Sequence, residues 1–413
     1  EYTLSELPSV IGMSVLPQGK YSFSYPVAEL AAVSLSRQAT HMNFGSSYVF
    51  KPFTWLFGEL FPFAMETLYP DKWLLAGDAA TAATALIPEG YGRYGEFLNY
   101  YMAAFDAGDM RGYRWDRWAI GSYRHYTPGT DAFGYMILSG LRCMYDKPDY
   151  TADYLLHTAK RPYDIFYGTR LSRRTSGGNL HTESFRKIFD WHRDIYVAEL
   201  KKRAPFTVSE PVLHEDNTFY TEYSSSVSVP DGTIFSVRKS MDRSAVLVSV
   251  SPDGKEDILS PFSSTSSRLV WSEPLERLYW SEPVSDWRWK QKRYNIIRYR
   301  DMKSGRTRTL AGGSNMFNPC ISPDGTKIAA IYGPEPDRTT VIVLDAESGF
   351  GRSILPYPDD GVLFTECTWC DGGLYVSGVS DEGAWIFRAE PDGNTGYIGW
   401  KAVTGPVRRS IRN

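Results

Sequence analysis

Ile321-Ser322-Pro323-Asp324-Gly325-Thr326-Lys327-Ile328, followed by Thr340-Val341-Ile342-Val343-Leu344, decides the fold of the second half of this chain. A tight Pro-Asp-Gly turn sits between apolar, β-branched runs, the pattern of a hairpin whose turn needs the positive φ that glycine supplies. The same kind of turn recurs on both sides. Opening turns are legible at Pro230-Asp231-Gly232, Glu273-Pro274, Pro323-Asp324-Gly325 and Asp371-Gly372-Gly373. Closing turns follow at Asp253-Gly254, Ser304-Gly305, Ser348-Gly349 and Asp392-Gly393, whose glycines are 51, 44 and 44 residues apart. Four-stranded β-propeller blades repeat about every 40 to 50 residues, so the spacing predicts about four blades, a small propeller or an incomplete one.

Upstream of this repeat the period changes from two to that of a helix. Phe185, Ile188, Phe189, His192, Ile195, Tyr196 and Val197 form one apolar stripe within Thr182 to Leu200. Asp71 to Leu86 reads as a second helix, rich in small residues and stopped by Pro88 and Gly90. Lys201-Lys202-Arg203-Ala204-Pro205 marks the boundary. The expected organisation is therefore multidomain α + β, with a mainly helical domain over 1–205 and blades over 206–413. A chain of 413 residues exceeds the roughly 250 to 300 that one core serves.

Composition excludes some functions. Forty-five basic against 48 acidic side chains leave a net charge of −3, with no basic footprint for nucleic acid. No apolar run approaches the ~18 residues of a membrane span. The chain opens on Glu1-Tyr2-Thr3, the expectation for a processed form or an internal fragment. Cys143, Cys320, Cys367 and Cys370 are too few for a disulfide framework. Cys367-Thr-Trp-Cys370 has the spacing of half a zinc ribbon without its second pair, which favours two packing cysteines on a strand. Aromatic residues make up 15%, with 28 Tyr and 12 Trp, suiting either a binding surface or an aromatic core.

Ile321 to Ile328 and Val250-Ser251-Pro252-Asp253-Gly254-Lys255 resemble the Ser-Pro-Asp-Gly-Lys repeats of TolB-like (PD40-type) β-propellers, typically envelope proteins. In the second stretch the motif falls on a closing turn rather than an opening one. Trp73-Leu74-Leu75-Ala76-Gly77-Asp78-Ala79, Gly92-Arg93, Phe133-Gly134-Tyr135, Trp271-Ser272-Glu273 and Asp286-Trp287-Arg288-Trp289 resemble envelope proteins in which a gluzincin-like (peptidase MA-like) domain precedes such a propeller. The resemblance spans roughly Ala28 to Arg388. It implies a zinc site on a His-Glu-x-x-His helix, with a later Glu as third ligand. That Glu position is Ala76 here. Placing the helix on Ser34-Leu35-Ser36-Arg37-Gln38 keeps only the arginine, and shifting it so that His41 is the second histidine puts Arg37 and Gln38 first. Zinc hydrolysis needs three ligands and a general base, so Ser34, Leu35, Gln38 and Ala76 are read as degenerate positions, and no catalytic residue, metal or cofactor is expected.

The remaining histidines, His125, His157, His181, His192 and His214, make no metal-ligand spacing, and no Gly-x-Ser-x-Gly elbow exists. A carboxylate pair for glycan hydrolysis is not readable from sequence. The resemblance implies a non-catalytic scaffold or binding protein, a pseudo-peptidase plus propeller, in the periplasm or outer-membrane-associated envelope of a Gram-negative bacterium. Its partners would be other envelope proteins, an outer-membrane complex among them. Trp115, Trp118, Tyr123, Trp287 and Trp289 are the candidate contacts, core packing being the other reading of each. The alternative function is a hydrolase or binder of peptides or glycans with an unrecognised site.

Overall fold

The computed structural model describes residues 5–7, 10–12, 35, 39, 42–86, 90–93, 95–108, 114–207, 210–213, 218–263, 268–289, 293–312, 315–335, 338–351, 353–359, 361–370, 373–380, 382–391 and 396–406. The described residues divide into two compact units, one on each side of the step from Ser209 to Glu210.

The first unit pairs a short hairpin, β1 (Ser5–Leu7) and β2 (Val10–Gly12), in sequence with a helical array. Its helices are α1 (Lys51–Phe57), α2 (Leu60–Leu68), α3 (Lys72–Leu86), α4 (Gly95–Ala107), α5 (Trp115–Ile120), α6 (Thr130–Tyr145), α7 (Tyr150–Lys160), α8 (Tyr167–Ser176) and α9 (Phe185–Arg203). Helix α9 begins three residues later than the sequence pattern suggests, because a π turn over Leu180–Ser184 precedes it. Asn179 caps that turn, its Oδ1 accepting from His181 N at 3.0 Å. Phe185, Ile188, Phe189 and His192 then face inward on α9 as the helical period requires.

Helices α3 and α6 touch through bare backbone. A Cβ on Gly134 would lie 1.9 Å from the Trp73 carbonyl oxygen, and one on Gly77 would lie 2.3 Å from the Gly134 carbonyl carbon. This close approach seats Trp73 and Phe133 side by side, with Trp115 edge-on to both at 5.1 and 5.0 Å. Around them Trp118, Met136, Ile137, Leu141 and Ile188 complete the core.

From Glu210 onward the chain forms four antiparallel sheets, each of four strands in sequence order. The first blade is β3 (Thr221–Ser228), β4 (Ile234–Ser240), β5 (Val246–Val250) and β6 (Glu256–Pro261). The second is β7 (Val270–Ser272), β8 (Arg277–Ser285), β9 (Arg293–Asp301) and β10 (Thr307–Ala311). The third is β11 (Met316–Ile321), β12 (Lys327–Glu335), β13 (Arg338–Asp345) and β14 (Ser353–Ile354). The fourth is β15 (Leu363–Cys370), β16 (Gly373–Ser380), β17 (Gly383–Pro391) and β18 (Tyr397–Ala402). Opening turns join strands one and two, and closing turns join three and four. Gly232, Gly254, Gly305, Gly325 and Gly349 all have φ between 65° and 86°, which explains the residue choice at these turns. Asp371, Gly372, Asp392 and Gly393 lie outside the described residues.

Both faces of the middle strands are covered, which is why Ile328-Ala329-Ala330-Ile331 runs apolar without alternating. Ile328 and Ala330 pack with Tyr279 and Ile297 of blade 2, while Ala329 and Ile331 pack with Phe364 and Val376 of blade 4. Leu278 and Trp280 join blade 2 to Phe235 and Leu247 of blade 1. Each such aliphatic side chain contributes roughly 1.5 to 3 kcal/mol of burial, so the seams between blades carry the stability of this unit.

Two substitutions test the helical core. Gly134→Ala gains at most about 1 kcal/mol of helix propensity but forces apart two backbones; we expect a net loss of about 3 kcal/mol or more of helical-unit stability, read from the helical circular-dichroism transition in denaturant. Tyr101 is fully buried, and its Oη has no hydrogen-bond partner among the described residues. Tyr101→Phe is therefore expected to leave stability unchanged or raise it by about 1 kcal/mol in the same measurement.

Candidate functional site

In the blade unit, the first strands of blades 1, 3 and 4 bulge. Register shifts fall between Ser224 and Val227 on β3, Phe317 and Cys320 on β11, and Phe364 and Glu366 on β15. Ser225 (φ 54°) and Asn318 (φ 49°) sit in the left-handed region, which a non-glycine residue enters only when its surroundings impose it. A bulge turns the extra residue out of the ladder. Ser225, Ser226, Asn318 and Pro319, within two of these bulges, line one cavity of about 150 Å³ together with Arg268, Glu366 and Cys367. Blades 1, 3 and 4 contribute, with Arg268 from the segment that precedes β7.

Asn318 links neighbouring blades, its Nδ2 donating to Thr365 O at 2.8 Å. The Cys367 thiol lies 3.4 Å from Asn318 O and 3.4 Å from Cys320 Sγ. Cys320 beside it and burial together push the Cys367 thiol well up, Glu366 adding to this and Arg268 opposing it. The cavity has room for several waters or a small polar molecule. It offers one carboxylate and one guanidinium of opposite charge, not the paired carboxylates that glycoside hydrolysis uses.

Cys367 and Cys370 do not act together. Three residues apart on β15 they lie on opposite faces, Cys367 buried and Cys370 exposed. The partner of Cys367 is Cys320, 47 residues away.

In the helical unit, the residues that carry the peptidase resemblance pack on one another. Besides Gly77 against Gly134, a Cβ on Gly92 would sit 2.0 Å from the Tyr135 hydroxyl. Thr84 Oγ1 accepts from Gly92 N at 2.9 Å, and Arg93 Nη1 donates to Thr84 O. Trp73, Gly77, Gly92 and the Phe133-Gly134-Tyr135 run are thus a packing motif. Ala76 is half-buried on α3 and Leu35 is exposed. Ser34, Gln38 and His41 lie outside the described residues. Among the described residues, no three His, Cys, Asp or Glu side chains converge to hold an ion.

Of the candidate contacts, Trp118 is 2% exposed and belongs to the core, against Tyr101 at 5.2 Å and Phe189 at 5.8 Å. Trp115 is half-buried, its ring stacked on His181 at 4.5 Å. Trp118 is thus a core residue, the second of the two readings given for it, and Trp115 also packs edge-on against Trp73 and Phe133. Tyr123 (97% exposed), Trp287 (91%) and Trp289 are presented to solvent. Asp286 Oδ1 accepts from Arg288 N at 2.8 Å and Trp289 N at 3.0 Å, a turn that holds Trp287 outward on the β8–β9 hairpin.

A larger exposed apolar surface went unread. On α1 and α2, Phe53, Trp55 (87% exposed), Leu56, Phe57 and Leu60 all face solvent, and no residue of α1 is buried. Phe53 and Phe57 flank Phe61 at 5.2 and 6.1 Å. The signal was present in Phe53-Thr54-Trp55-Leu56-Phe57, an apolar run with too little polar face for a helix that buries one side.

His157 and His192 have structural surroundings. His157 Nε2 lies 2.9 Å from Asp164 Oδ2, and its ring stacks on Tyr167 at 3.6 Å. His192 is buried and meets Met136 O at 2.8 Å through Nε2, which must carry the proton to donate to a carbonyl.

Fold and site together define a two-unit protein, a helical array followed in sequence by four β-propeller-type blades. No family model matches the chain, and no curated protein matches it. Among solved structures it is similar to TolB from Acinetobacter baumannii, at 16% identity and a TM-score of 0.30 over 39% of this chain and 38% of that one. A putative TolB from Agrobacterium tumefaciens matches at 12% identity and a TM-score of 0.34, over 43% and 63%. The β-propeller domain of the Trilobed protease from Pyrococcus furiosus matches at 20% identity and a TM-score of 0.27, over 34% and 42%. The chain spans less than two thirds of each of those proteins. These likenesses concern β-propeller proteins only; the gluzincin-like fold expected for the helical unit is not among them.

Burial drives the His192 imidazole down to about 4, against about 6.5 in an unfolded chain. Between those values the unfolded state takes up a proton that the folded state refuses. Stability is thus intact above about pH 6.5 and falls as pH drops toward 4, by on the order of 3 kcal/mol. His192→Gln keeps a donor for Met136 without a titrating group. Urea midpoints from pH 7 to 4 should fall less steeply for this variant than for the wild type.

Proposed function

We propose that this chain is a non-catalytic cell-envelope scaffold that binds a protein partner through exposed aromatic side chains. The observation that carries the reading is the α1–α2 surface, where Phe53, Trp55, Leu56, Phe57 and Leu60 stand in solvent together. Large apolar side chains clustered in solvent cost solubility, and soluble proteins retain such clusters where a partner covers them. Tryptophan and its aromatic neighbours are also the residues that dominate interface energetics. The partner chemistry that fits is a protein with an apolar groove able to take a short aromatic helix.

The envelope setting rests on the Ser-Pro-Asp-Gly resemblance, and a periplasmic or outer-membrane-associated position in a Gram-negative bacterium is part of the proposal. The absence of catalysis rests on the alignment that places Ala76 at a ligand position, with the retained residues around it explained by packing. Among the described residues no helix is long and apolar enough to cross a membrane.

Trp55→Glu with Phe57→Glu tests the reading. Both side chains are exposed, so the double variant should keep the wild-type melting transition, surface changes being worth about ±0.5 kcal/mol each. A photo-crosslinker at Leu56 in living cells should yield one discrete heteromeric adduct in the wild-type background and none in the double variant. Unaltered adducts in the variant, or a clear loss of stability, would show that this surface is not a partner site.

A further inference from the structure

We propose that Cys320 and Cys367 are a peroxide-oxidisable pair that closes to a disulfide between blades 3 and 4, with the 150 Å³ cavity as the oxidant's route in. The proposal stands on the geometry of the blade unit and is independent of the partner-binding reading.

Three observations converge on this pair. The two sulfurs already lie 3.4 Å apart, and bonding at about 2.05 Å requires only about 1.4 Å of closure. They belong to different blades, β11 and β15, within the same apolar seam as Ala329, Phe364 and Val376. Cys367 lines the cavity, whereas Cys320 is not among its lining residues. Cys367 is thus the member of the pair that borders the cavity, and Cys320 is the member that does not, the order expected of an attacking and a resolving cysteine.

The cavity also selects the oxidant by size. A tripeptide disulfide is too bulky for about 150 Å³, and hydrogen peroxide is not. The Cys367 sulfur attacks one peroxide oxygen, the O–O bond breaks, and a sulfenic acid forms as water leaves. The Cys320 sulfur then attacks the Cys367 sulfur, forming the S–S bond and releasing the second water. Two thiols and one peroxide become one disulfide and two waters. Two electrons pass from sulfur to the O–O bond, and the thiol protons leave in the waters. Burial and the neighbouring Cys320 hold Cys367 as a thiol, so the reaction is slower than at exposed Cys143 or Cys370. The product ties together strands 47 residues apart in sequence.

The test uses the full chain with Cys143→Ser and Cys370→Ser, which leaves two thiols. After peroxide treatment of the native protein and denaturation, no titratable thiol should remain. The mass should fall by two hydrogens, a non-reducing digest should contain a peptide joining residues 320 and 367, and the thermal midpoint should rise. Adding Cys320→Ser should leave the sulfenic acid on Cys367 open to trapping by a 1,3-dione, whereas the protein that retains Cys320 should trap little. Two free thiols that persist after peroxide exposure prolonged far beyond the point at which Cys370 is fully oxidised in the wild type would overturn the proposal. So would sulfinic acid on Cys367 without the linked peptide. Should the Cys320→Ser protein fail to fold, the thiol count and the linked peptide decide by themselves.

Discussion

The helical unit depends on one contact, the backbone of α3 against the backbone of α6 at Gly77 and Gly134. A single methyl group at Gly134 would lie 1.9 Å from the Trp73 carbonyl oxygen. Because the helices meet this closely, the Trp73 and Phe133 rings lie beside the crossing and Trp115 fits edge-on against them. The same device recurs at the edge of α3. Gly92 accepts the Tyr135 ring, and Thr84 receives both the Gly92 amide and the Arg93 side chain. The blades use glycine in a related way: a Cβ on Gly349 would lie 2.3 Å from Leu310 O of blade 2. Close backbone approach is what glycine permits and every other residue forbids.

This constraint changes what the sequence resemblance means. Trp73 to Ala79, Gly92-Arg93 and Phe133-Gly134-Tyr135 are far apart in sequence, and a reader looking for chemistry takes the first as a ligand segment. In the folded unit they are the parts of one packing junction. Their presence is accounted for by the crossing alone, and so it carries no information about a metal. The substitution at Ala76 bears on chemistry only through the alignment, since the proposed zinc helix falls mostly on residues outside the description.

The turns of the blade unit were legible because each rests on local chemistry. In Ser322-Pro323-Asp324-Gly325 the Ser322 hydroxyl bonds Asp324 and Gly325 takes φ 70°, all within four residues. The Ser251 to Gly254 turn repeats this at the closing position, as the sequence indicated. What stayed hidden needs long-range pairing. The sequence favoured Cys367 and Cys370 as two packing cysteines on a strand; the fold buries only Cys367, against Cys320, because strand alternation sends Cys370 to the exposed face. The bulges that create the cavity were equally invisible. Ser225 and Asn318 are not glycines, and only the ladder on either side of them imposes their backbone conformation.

The abundance of aromatic residues was ambiguous in sequence between core and surface, and the fold assigns both roles by position. Tyr101, Trp118 and Phe133 are buried where the helical period turns them inward, and Trp287 is held out by the Asp286 turn. Helix α1 obeys neither rule. Its seven residues carry Phe53, Trp55, Leu56 and Phe57 nearly all around the axis, so no single orientation could bury them against one neighbour. Packing within its own unit offers such a helix one covered side at most. Full burial needs a second surface, and for that reason the partner-binding proposal is placed on this helix rather than on the core aromatics.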